Sequence, residues 1–322
     1  MPAPVAGTRP DRSIIQDMKI LVFTEKPFAP AAVKAIENVV NASGNELEVV
    51  EGGTRADLLE AVKNANGLIV RSDKIDGDVM DAAPQLKVIV RAGAGYDNID
   101  LEAATRHGIC VMNTPGQNSN AVAELVFGMV VMMCRNQYNG KSGTELKGKS
   151  LGIYAFGQVG RNVARIAKGF GMKIEALDKF VPDAVMEDEG VKPVHTPEEL
   201  FANNDFVSLH IPATAETRKS IGYDLMMKMP KGGVLINTAR KEVIDEEGLM
   251  KALEERPDLR YISDIKPDTA EEFEKKFDAR VFFTPKKMGA QTAEANFNAG
   301  VAAAEQAIAY LKDGWNKYQV NK

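Results

Sequence analysis

Two series of short β-branched runs, separated by helical stretches, constrain the fold more than any other feature of the sequence. The first series comprises residues 19–25, 46–52, 67–72, 87–93 and 110–115. The second comprises residues 150–157, 173–178, 206–212, 233–240, 260–265 and 280–285. Strands that alternate with helices form βαβ units, which assemble into parallel sheets. The pattern therefore predicts an α/β protein with two doubly wound parallel-sheet domains.

Two long helical stretches define how these domains are connected. Residues 121–136 form an apolar stretch that joins the two series without a Gly/Ser linker. A last helix follows Thr292, and its apolar residues recur at helical spacing, so they share one face: Phe297, Val301, Ala304, Ile308 and Leu311. Two tandem domains need no such helix unless it returns to the first domain. We therefore expect it to pack there.

Composition excludes several functional classes. The chain has 40 Lys and Arg against 45 Asp and Glu, a net charge of -5, which does not favour nucleic acid or anionic membrane. Its two cysteines, Cys110 and Cys134, lack the spacing of a metal cage or disulfide framework, so no metal is expected. Residues 1–17 lack the features of a secretory or organellar signal. We expect a cytoplasmic protein without membrane spans.

Residues 151–178 have the features of a dinucleotide-binding unit. Gly157 and Gly160 open a helix after a strand, and the next strand ends in Asp178. The helix N-terminus would bind a pyrophosphate, and Asp178 would accept hydrogen bonds from ribose hydroxyls, which favours NAD over NADP. The first glycine of the usual pattern is replaced by Ala155, which we expect to turn at negative φ. The alternative is a Gly-rich turn without a ligand.

The chain resembles the D-isomer-specific 2-hydroxyacid dehydrogenases from residue 19 to residue 314. Six motifs carry the resemblance: residues 90–104, 113–125, 151–178, 207–217, 235–249 and 289–295. Within the family, the chain is most similar to short phosphoglycerate dehydrogenases that lack a regulatory domain. The resemblance implies a Rossmann NAD-binding domain (residues 113–291) inserted into a flavodoxin-like substrate domain (residues 18–112 and 292–322). It also implies a homodimer formed through the helix at 121–136.

The same resemblance implies which residues bind the cofactor. These are Gly157, Gln158, Val159, Gly160, Asp178, His210, Pro212, Thr217, Thr238, Ala239, Asp264 and Gly289. Asp264 would accept a hydrogen bond from the nicotinamide amide. From the residues alone, His107, His195 and His210 are structural or solvated histidines, because none lies where the family has its catalytic histidine.

Oxidation of a 2-hydroxy acid requires a cation for the carboxylate and a base for the hydroxyl proton. Arg240 matches the family's substrate-binding arginine, and its planar fork can bind a carboxylate through two hydrogen bonds. A surface arginine in an ion pair is the alternative. The family's catalytic histidine lies in a stretch like TPHIGAST, and this chain has TPKKMGAQT at 284–292.

Two alignments of that stretch give two candidate bases. Counting back from the shared Gly-Ala pair gives Lys287, and counting forward from Thr-Pro gives Lys286. We expect Lys287 to be the base, as in a subset of phosphoglycerate dehydrogenases. Enclosure beside Arg240 would lower its pKa through desolvation and like-charge repulsion. A solvated lysine pair is the alternative.

Further predicted site residues lie after other strands. Asp268 is the carboxylate nearest by count to the family's catalytic Glu, and a solvated turn residue is the alternative. The backbone N–H groups of Gly93 and Ala94 would bind the substrate carboxylate. Arg71 and Lys74 would bind a phosphate, although they also fit an ordinary basic loop.

These residues predict NAD-dependent oxidation of a small phosphorylated 2-hydroxy acid, D-3-phosphoglycerate. One alternative within the family is a glyoxylate or hydroxypyruvate reductase or a D-lactate dehydrogenase. From a different class, a scaffold that senses NAD(H) without turnover would also explain the missing histidine.

Overall fold

The computed structural model describes residues 18–322 and divides the chain into two compact units. Our interpretation of residues 1–17 as free of targeting signals lies outside the described residues. The first unit contains the chain up to Pro115 together with Asn296–Lys322, and the second is Gly116–Ala295. The second unit is thus an insertion within the first.

The first unit contains a five-stranded parallel sheet. Its elements before the insertion are β1 (Lys19–Thr24), α1 (Pro30–Ala42), β2 (Glu46–Glu51), α2 (Arg55–Ala61), β3 (Gly67–Val70), α3 (Gly77–Asp81), β4 (Val88–Arg91), α4 (Leu101–Arg106) and β5 (Cys110–Asn113). The strand order is β2-β1-β3-β4-β5, which is the flavodoxin-like order. Ile20 of β1 lies opposite Leu47 on one side and Gly67 on the other.

Both faces of this sheet are buried. Side chains of β1 alternate, so that Leu21 and Phe23 belong to one apolar cluster and Ile20 and Val22 to the other. Continuous apolar runs are typical of parallel strands covered on both faces.

The second unit contains a seven-stranded parallel sheet. Its elements are α5 (Ser119–Cys134), β6 (Ser150–Tyr154), α6 (Gln158–Gly169), β7 (Lys173–Leu177), α7 (Asp183–Asp188), β8 (Lys192–Pro193), α8 (Pro197–Asn203), β9 (Phe206–Leu209), α9 (Tyr223–Lys228), β10 (Val234–Asn237), α10 (Glu246–Glu255), β11 (Arg260–Ser263), α11 (Ala270–Phe277) and β12 (Val281–Phe283). The strand order is β12-β11-β10-β9-β6-β7-β8. The order reverses between β6 and β9, as in a Rossmann fold. The predicted fold class is therefore confirmed.

The last helix, α12 (Ala293–Asp313), contributes to the core of the first unit, as expected. Part of the predicted face lies there, because Ala304 is buried and Ile308 and Leu311 pack against the same cluster. Phe297 is 37% exposed, and the buried positions include Ala299, Ala303 and Ala307. These alanines recur every fourth residue and let the helix approach the sheet closely. A Cβ on Gly300 would lie 3.0 Å from Ile36 Cδ1, which explains why small residues occupy this face.

No helix within residues 18–322 combines the length and the apolar character that crossing a membrane requires.

Candidate active site

The predicted cofactor residues of the second unit follow the carboxyl ends of its strands, where open parallel sheets bind ligands. The turn between β6 and α6 differs from our expectation at one residue. Ala155 has a φ of +83°, not a negative value. The turn thus keeps the glycine-like conformation of the motif despite its alanine. An L-residue in this region costs about 1–2 kcal/mol.

The two glycines of this turn have different surroundings. A Cβ on Gly160 would lie 2.3 Å from the Ala155 carbonyl oxygen, so only glycine fits there. A Cβ on Gly157 would meet nothing within 4 Å, which leaves open space at the helix N-terminus. Gln158 and Val159 are the first helical residues, whose N–H groups have no acceptor within the helix. This arrangement fits a dinucleotide pyrophosphate.

Asp178, directly after β7, closes the same turn. Its carboxylate accepts hydrogen bonds from the backbone N–H groups of Phe156 at 2.7 Å, Phe180 at 2.8 Å and Val181 at 3.1 Å. A carboxylate offers about four acceptor positions, so capacity for a ribose hydroxyl remains.

His210 follows β9 and is held between two hydroxyl groups. Its Nε2 lies 3.0 Å from Ser208 Oγ, and its Nδ1 lies 3.5 Å from Thr238 Oγ1. Burial lowers the pKa of His210 to about 3, so the imidazole is neutral. A neutral ring at a strand end is suited to contact with an uncharged part of a cofactor rather than to binding an anion.

The loop after His210 is stabilised by Thr217. Its hydroxyl donates to the Pro212 carbonyl oxygen at 2.5 Å and accepts from the Thr214 N–H at 2.8 Å. Pro212 is exposed on this loop. These hydrogen bonds hold the loop through the Pro212 carbonyl oxygen, and the Pro212 ring takes no part in them.

Arg240 follows β10 on a turn that the buried side chain of Asn237 supports. Asn237 Nδ2 donates to the Arg240 carbonyl oxygen at 2.9 Å, and its Oδ1 accepts from the Ala239 N–H at 2.9 Å. The Arg240 guanidinium donates to the Ala239 carbonyl oxygen. Within residues 18–322 it forms no ion pair, so its fork can bind a carboxylate.

Asp264, directly after β11, is fully buried and contacts the segment that carries the two candidate lysines. Its carboxylate accepts from the N–H groups of Met288 at 2.7 Å and Gly289 at 2.8 Å, and from Thr284 Oγ1 at 2.9 Å. Three donors from its own chain thus bind the carboxylate that we expected to contact the nicotinamide amide, which leaves about one acceptor position for that contact.

The side chains of Lys286 and Lys287 are exposed, whereas we expected Lys287 to be enclosed. The physical reason lies in the contacts of Asp264. They hold Thr284, Met288 and Gly289 inward, so that residues 285–287 form the outward part of the loop.

Asp268 lies at the surface, with 73% of its side chain exposed, and its carboxylate is 2.6 Å from Lys241 Nζ. This ion pair raises the pKa of Lys241 through the hydrogen bond and the charge of Asp268. The position matches the alternative that the sequence allowed, a solvated turn residue.

In the first unit, the Gly93 N–H is not available to a substrate carboxylate, contrary to expectation. It donates to the Arg91 carbonyl oxygen at 2.8 Å. Gly93 has a φ of +146°, and a Cβ there would collide with the Arg91 guanidinium. Ala94 is exposed beside it.

Arg71 and Lys74 have different environments. Arg71 donates to the carbonyl oxygens of Lys26 at 2.9 Å and Pro27 at 2.8 Å and to Asn296 Oδ1 at 2.6 Å. Desolvation lowers the pKa of Arg71, although nearby acids oppose the shift. Lys74 is 81% exposed and lies 3.5 Å from Asp76. Within residues 18–322, Arg71 and Lys74 therefore have no shared partner.

Sequence reasoning missed Asn237 and Thr284, the buried polar residues that support the Arg240 turn and the lysine loop. The available signal was a polar residue at or just after the end of an apolar strand, in VLIN and VFFT.

Comparison with known proteins identifies the family. The model described as D-isomer specific 2-hydroxyacid dehydrogenase, NAD binding domain, matches residues 122–285. The chain belongs to this family. The resemblance carried by the sequence motifs is confirmed, and NAD is the cofactor of the matched domain.

Members of the family with several activities are similar to this chain. D-3-phosphoglycerate dehydrogenase of Methanocaldococcus jannaschii is 40% identical over 308 residues, covering 90% of this chain and 56% of that protein. The chain thus spans a little over half the length of that relative. Glyoxylate reductase of Thermococcus litoralis is 33% identical, covering 95% of this chain and 98% of that protein.

A solved structure extends the comparison to the fold. NAD+-bound 3-phosphoglycerate dehydrogenase of Entamoeba histolytica is 49% identical, with a TM-score of 0.84, over 95% of this chain and 99% of that one.

Proposed function

We propose that this chain is an NAD-dependent D-3-phosphoglycerate dehydrogenase, which oxidises 3-phosphoglycerate to 3-phosphohydroxypyruvate at the start of serine biosynthesis. The observation that carries the proposal is Arg240. Its guanidinium lies at the carboxyl end of β10, in the same unit as the dinucleotide turn, and forms no ion pair within the described residues. A cation in this place is what a 2-hydroxy acid requires.

Different residues of this unit would carry out different parts of the reaction. Arg240 would hold the substrate carboxylate and polarise the reacting oxygen. Lys287 would take the hydroxyl proton once binding encloses it and lowers its pKa. NAD, when bound, accepts the hydride. Arg71 and Lys74 would bind the substrate phosphate.

The similarity to two phosphoglycerate dehydrogenases supports the choice of substrate. The deciding experiment measures NADH formation by the purified chain with 3-phosphoglycerate, D-glycerate and D-lactate, and NADH consumption with the matching keto acids. We expect turnover with the phosphorylated acid. NADH binding without turnover on any of these substrates would instead support an NAD(H)-sensing scaffold.

The base is tested by a matched pair of variants in the same loop. Lys287→Ala should lower kcat by about 10²–10⁴-fold, the usual contribution of a general base, and Lys286→Ala should have little effect. Because the lysine acts as a base only after it loses its proton, oxidation by the wild type should accelerate as pH rises. The reverse pattern between the two variants would assign the role to Lys286.

A second candidate, reduction of an unphosphorylated keto acid such as glyoxylate, is favoured by the contacts of Arg71. Three acceptors of the protein already bind its guanidinium, and Lys74 is paired with Asp76. The similarity to a glyoxylate reductase is consistent with this activity.

Lys74→Ala separates the two candidates better than a change at Arg71, which also holds the loop at 26–28. If the substrate carries a phosphate, Lys74→Ala should raise its KM about tenfold, the loss of one charge-assisted hydrogen bond. Lys63→Ala, at another exposed lysine of the same unit, is the control. Equal KM values in both variants would favour the unphosphorylated substrate.

The homodimer implied by the family resemblance stays a prediction, which light scattering of the purified chain would test.

A further inference from the structure

A continuous set of buried polar contacts connects the ends of three neighbouring strands in the second unit. Asn237 ends β10, Ser263 ends β11, and Thr284 directly follows β12. The Asn237 carbonyl oxygen accepts from Ser263 Oγ at 3.0 Å and from the Asp264 N–H at 3.0 Å. Thr284 Oγ1 lies 2.9 Å from both the carbonyl oxygen and Oδ1 of Asp264. Each of these four residues is buried.

This set of contacts joins two segments that have catalytic roles in the proposed function, the turn with Arg240 and the loop with Lys287. At one end, the Asn237 side chain bridges Ala239 and Arg240. At the other end, the Asp264 carboxylate receives the N–H groups of Met288 and Gly289, which directly follow Lys287. A charged acceptor bound by several donors in a dry environment is a strong and directional constraint.

We propose that Asp264 is the positioning residue that fixes the lysine loop relative to the Arg240 turn. The inference rests on the proposed function for its catalytic consequence but not for its structural one. It adds to the role expected for Asp264, a contact with the nicotinamide amide, because three donors of the chain bind the carboxylate before any cofactor does. Catalytic groups need placement within fractions of an ångström, and an error of about 1 Å can cost about 100-fold in rate.

Asp264→Asn tests the proposal. In the variant, the NH₂ group of the amide faces at least one N–H donor that faces a carboxylate oxygen in the wild type. In the protein without cofactor or substrate, we expect amide hydrogen exchange across residues 286–289 to accelerate about tenfold. The exposed carboxylate variant Asp268→Asn should leave this exchange unchanged. Unchanged exchange in Asp264→Asn would overturn the proposal, whatever the activity of the enzyme.

Kinetics with two cofactors distinguish positioning from a direct contact with the amide. We expect kcat of Asp264→Asn to fall about 100-fold with NAD and by the same factor with 3-acetylpyridine adenine dinucleotide, which has a methyl ketone in place of the amide. NADH affinity should change less than about twofold. An effect that disappears with the analogue would assign Asp264 to the nicotinamide and overturn the positioning role.

A milder pair of variants covers the case in which Asp264→Asn does not fold. Thr284→Val removes one donor to Asp264 without changing charge, and Thr284→Ser keeps the hydroxyl. We expect faster exchange of residues 286–289 in the valine variant and restoration in the serine variant. Equal exchange in both variants would contradict the network. If no variant or wild type turns over any 2-hydroxy acid, the proposed function fails, and these exchange measurements still decide the structural role.

Discussion

Gly160 shows how strongly a single residue can constrain the cofactor turn. A Cβ there would lie 2.3 Å from the Ala155 carbonyl oxygen and 3.1 Å from Ile153 Cγ2. Gly160→Ala should therefore lower the free energy of unfolding by about 1–3 kcal/mol, the usual cost of overpacking, and weaken NADH binding. Denaturant unfolding and fluorescence titration would measure the two effects.

Gly169, at the end of the same helix, is the matched control for this substitution. A Cβ there meets nothing within 4 Å, and Gly169→Ala should be neutral or stabilise the helix by up to about 1 kcal/mol. Equal destabilisation by both substitutions would contradict the steric argument.

The residue scale is also where sequence reasoning reached its limit. The motif located the turn at Ala155 and the arginine after β10, because both follow directly from a strand end. It could not show that Ala155 takes a positive φ, that Arg91 accepts the Gly93 N–H, or that Arg71 is bound by its own unit. The contacts of Arg71 join residues 44 and 45 positions apart, which no local pattern encodes. The φ of Ala155 and the hydrogen bond between Gly93 and Arg91 are backbone details that the residue types alone do not fix.

Strand β5 is the last strand of the first sheet, and the segment at 319–321 covers its outer edge. The Val320 N–H donates to the Val111 carbonyl oxygen at 2.8 Å. The buried amide of Asn321 accepts from the Val111 N–H at 2.8 Å and donates to the Ile109 carbonyl oxygen at 2.9 Å. The side chain of Asn321 thus satisfies backbone groups at the edge of the sheet that would otherwise lack partners.

Asn321→Ala should lower the free energy of unfolding by about 1–3 kcal/mol, because it leaves buried backbone groups of β5 without partners. Asn316→Ala, at an exposed position five residues earlier, should cost far less. Thermal unfolding of the two variants beside the wild type would compare them. A similar loss in both would mean that the contacts of Asn321 with β5 contribute little.

The end of α4 contains a pH-dependent contact. His107 Nδ1 lies 2.8 Å from the Ala103 carbonyl oxygen, and Nε2 lies 2.8 Å from Asp81 Oδ1. The carbonyl oxygen first, and then Asp81, raise the pKa of His107 above its ordinary value. Because the folded pKa is the higher one, this contribution to stability is complete below about pH 6.5 and is lost as pH rises through the folded value.

His107→Ala should therefore lower Tm more at pH 5.5 than at pH 9, at low salt. Asp81→Asn removes the negative charge from one of the two acceptors, so it should reproduce part of this pH dependence. A Tm difference from wild type that is the same at both pH values would contradict the raised pKa.

The strand pattern predicted every strand of both sheets except β8. That strand has two residues, Lys192 and Pro193, at the edge of the second sheet. A run of two residues is too short for a periodic signal, and a proline has no N–H for the sheet. The insertion of the second unit was inferred from the family resemblance and the returning helix, because connectivity of this kind has no local signature.

For the molecule as a whole, the second unit should be stable on its own. Its apolar clusters contain only residues between Ala123 and Phe283, all inside Gly116–Ala295. A fragment of residues 116–295 should unfold cooperatively and bind NADH within about tenfold of the full chain's affinity. Circular dichroism and NADH fluorescence would test this, with the Gly160→Ala fragment as the binding control. A fragment without a cooperative transition would contradict it.

The insertion also has a consequence for synthesis on the ribosome. Ile20 and Val22 of β1 pack in the cluster completed by Ala299, Ala303 and Ala307, which are translated more than 270 residues later. At about 5–20 residues per second, the part of this face that α12 covers waits tens of seconds for its partner, while the second unit has time to fold. Helix α1 covers the rest, through Ala32, Ile36 and Val40. We therefore expect the nascent chain to present an apolar surface during this interval, of the kind that chaperones bind.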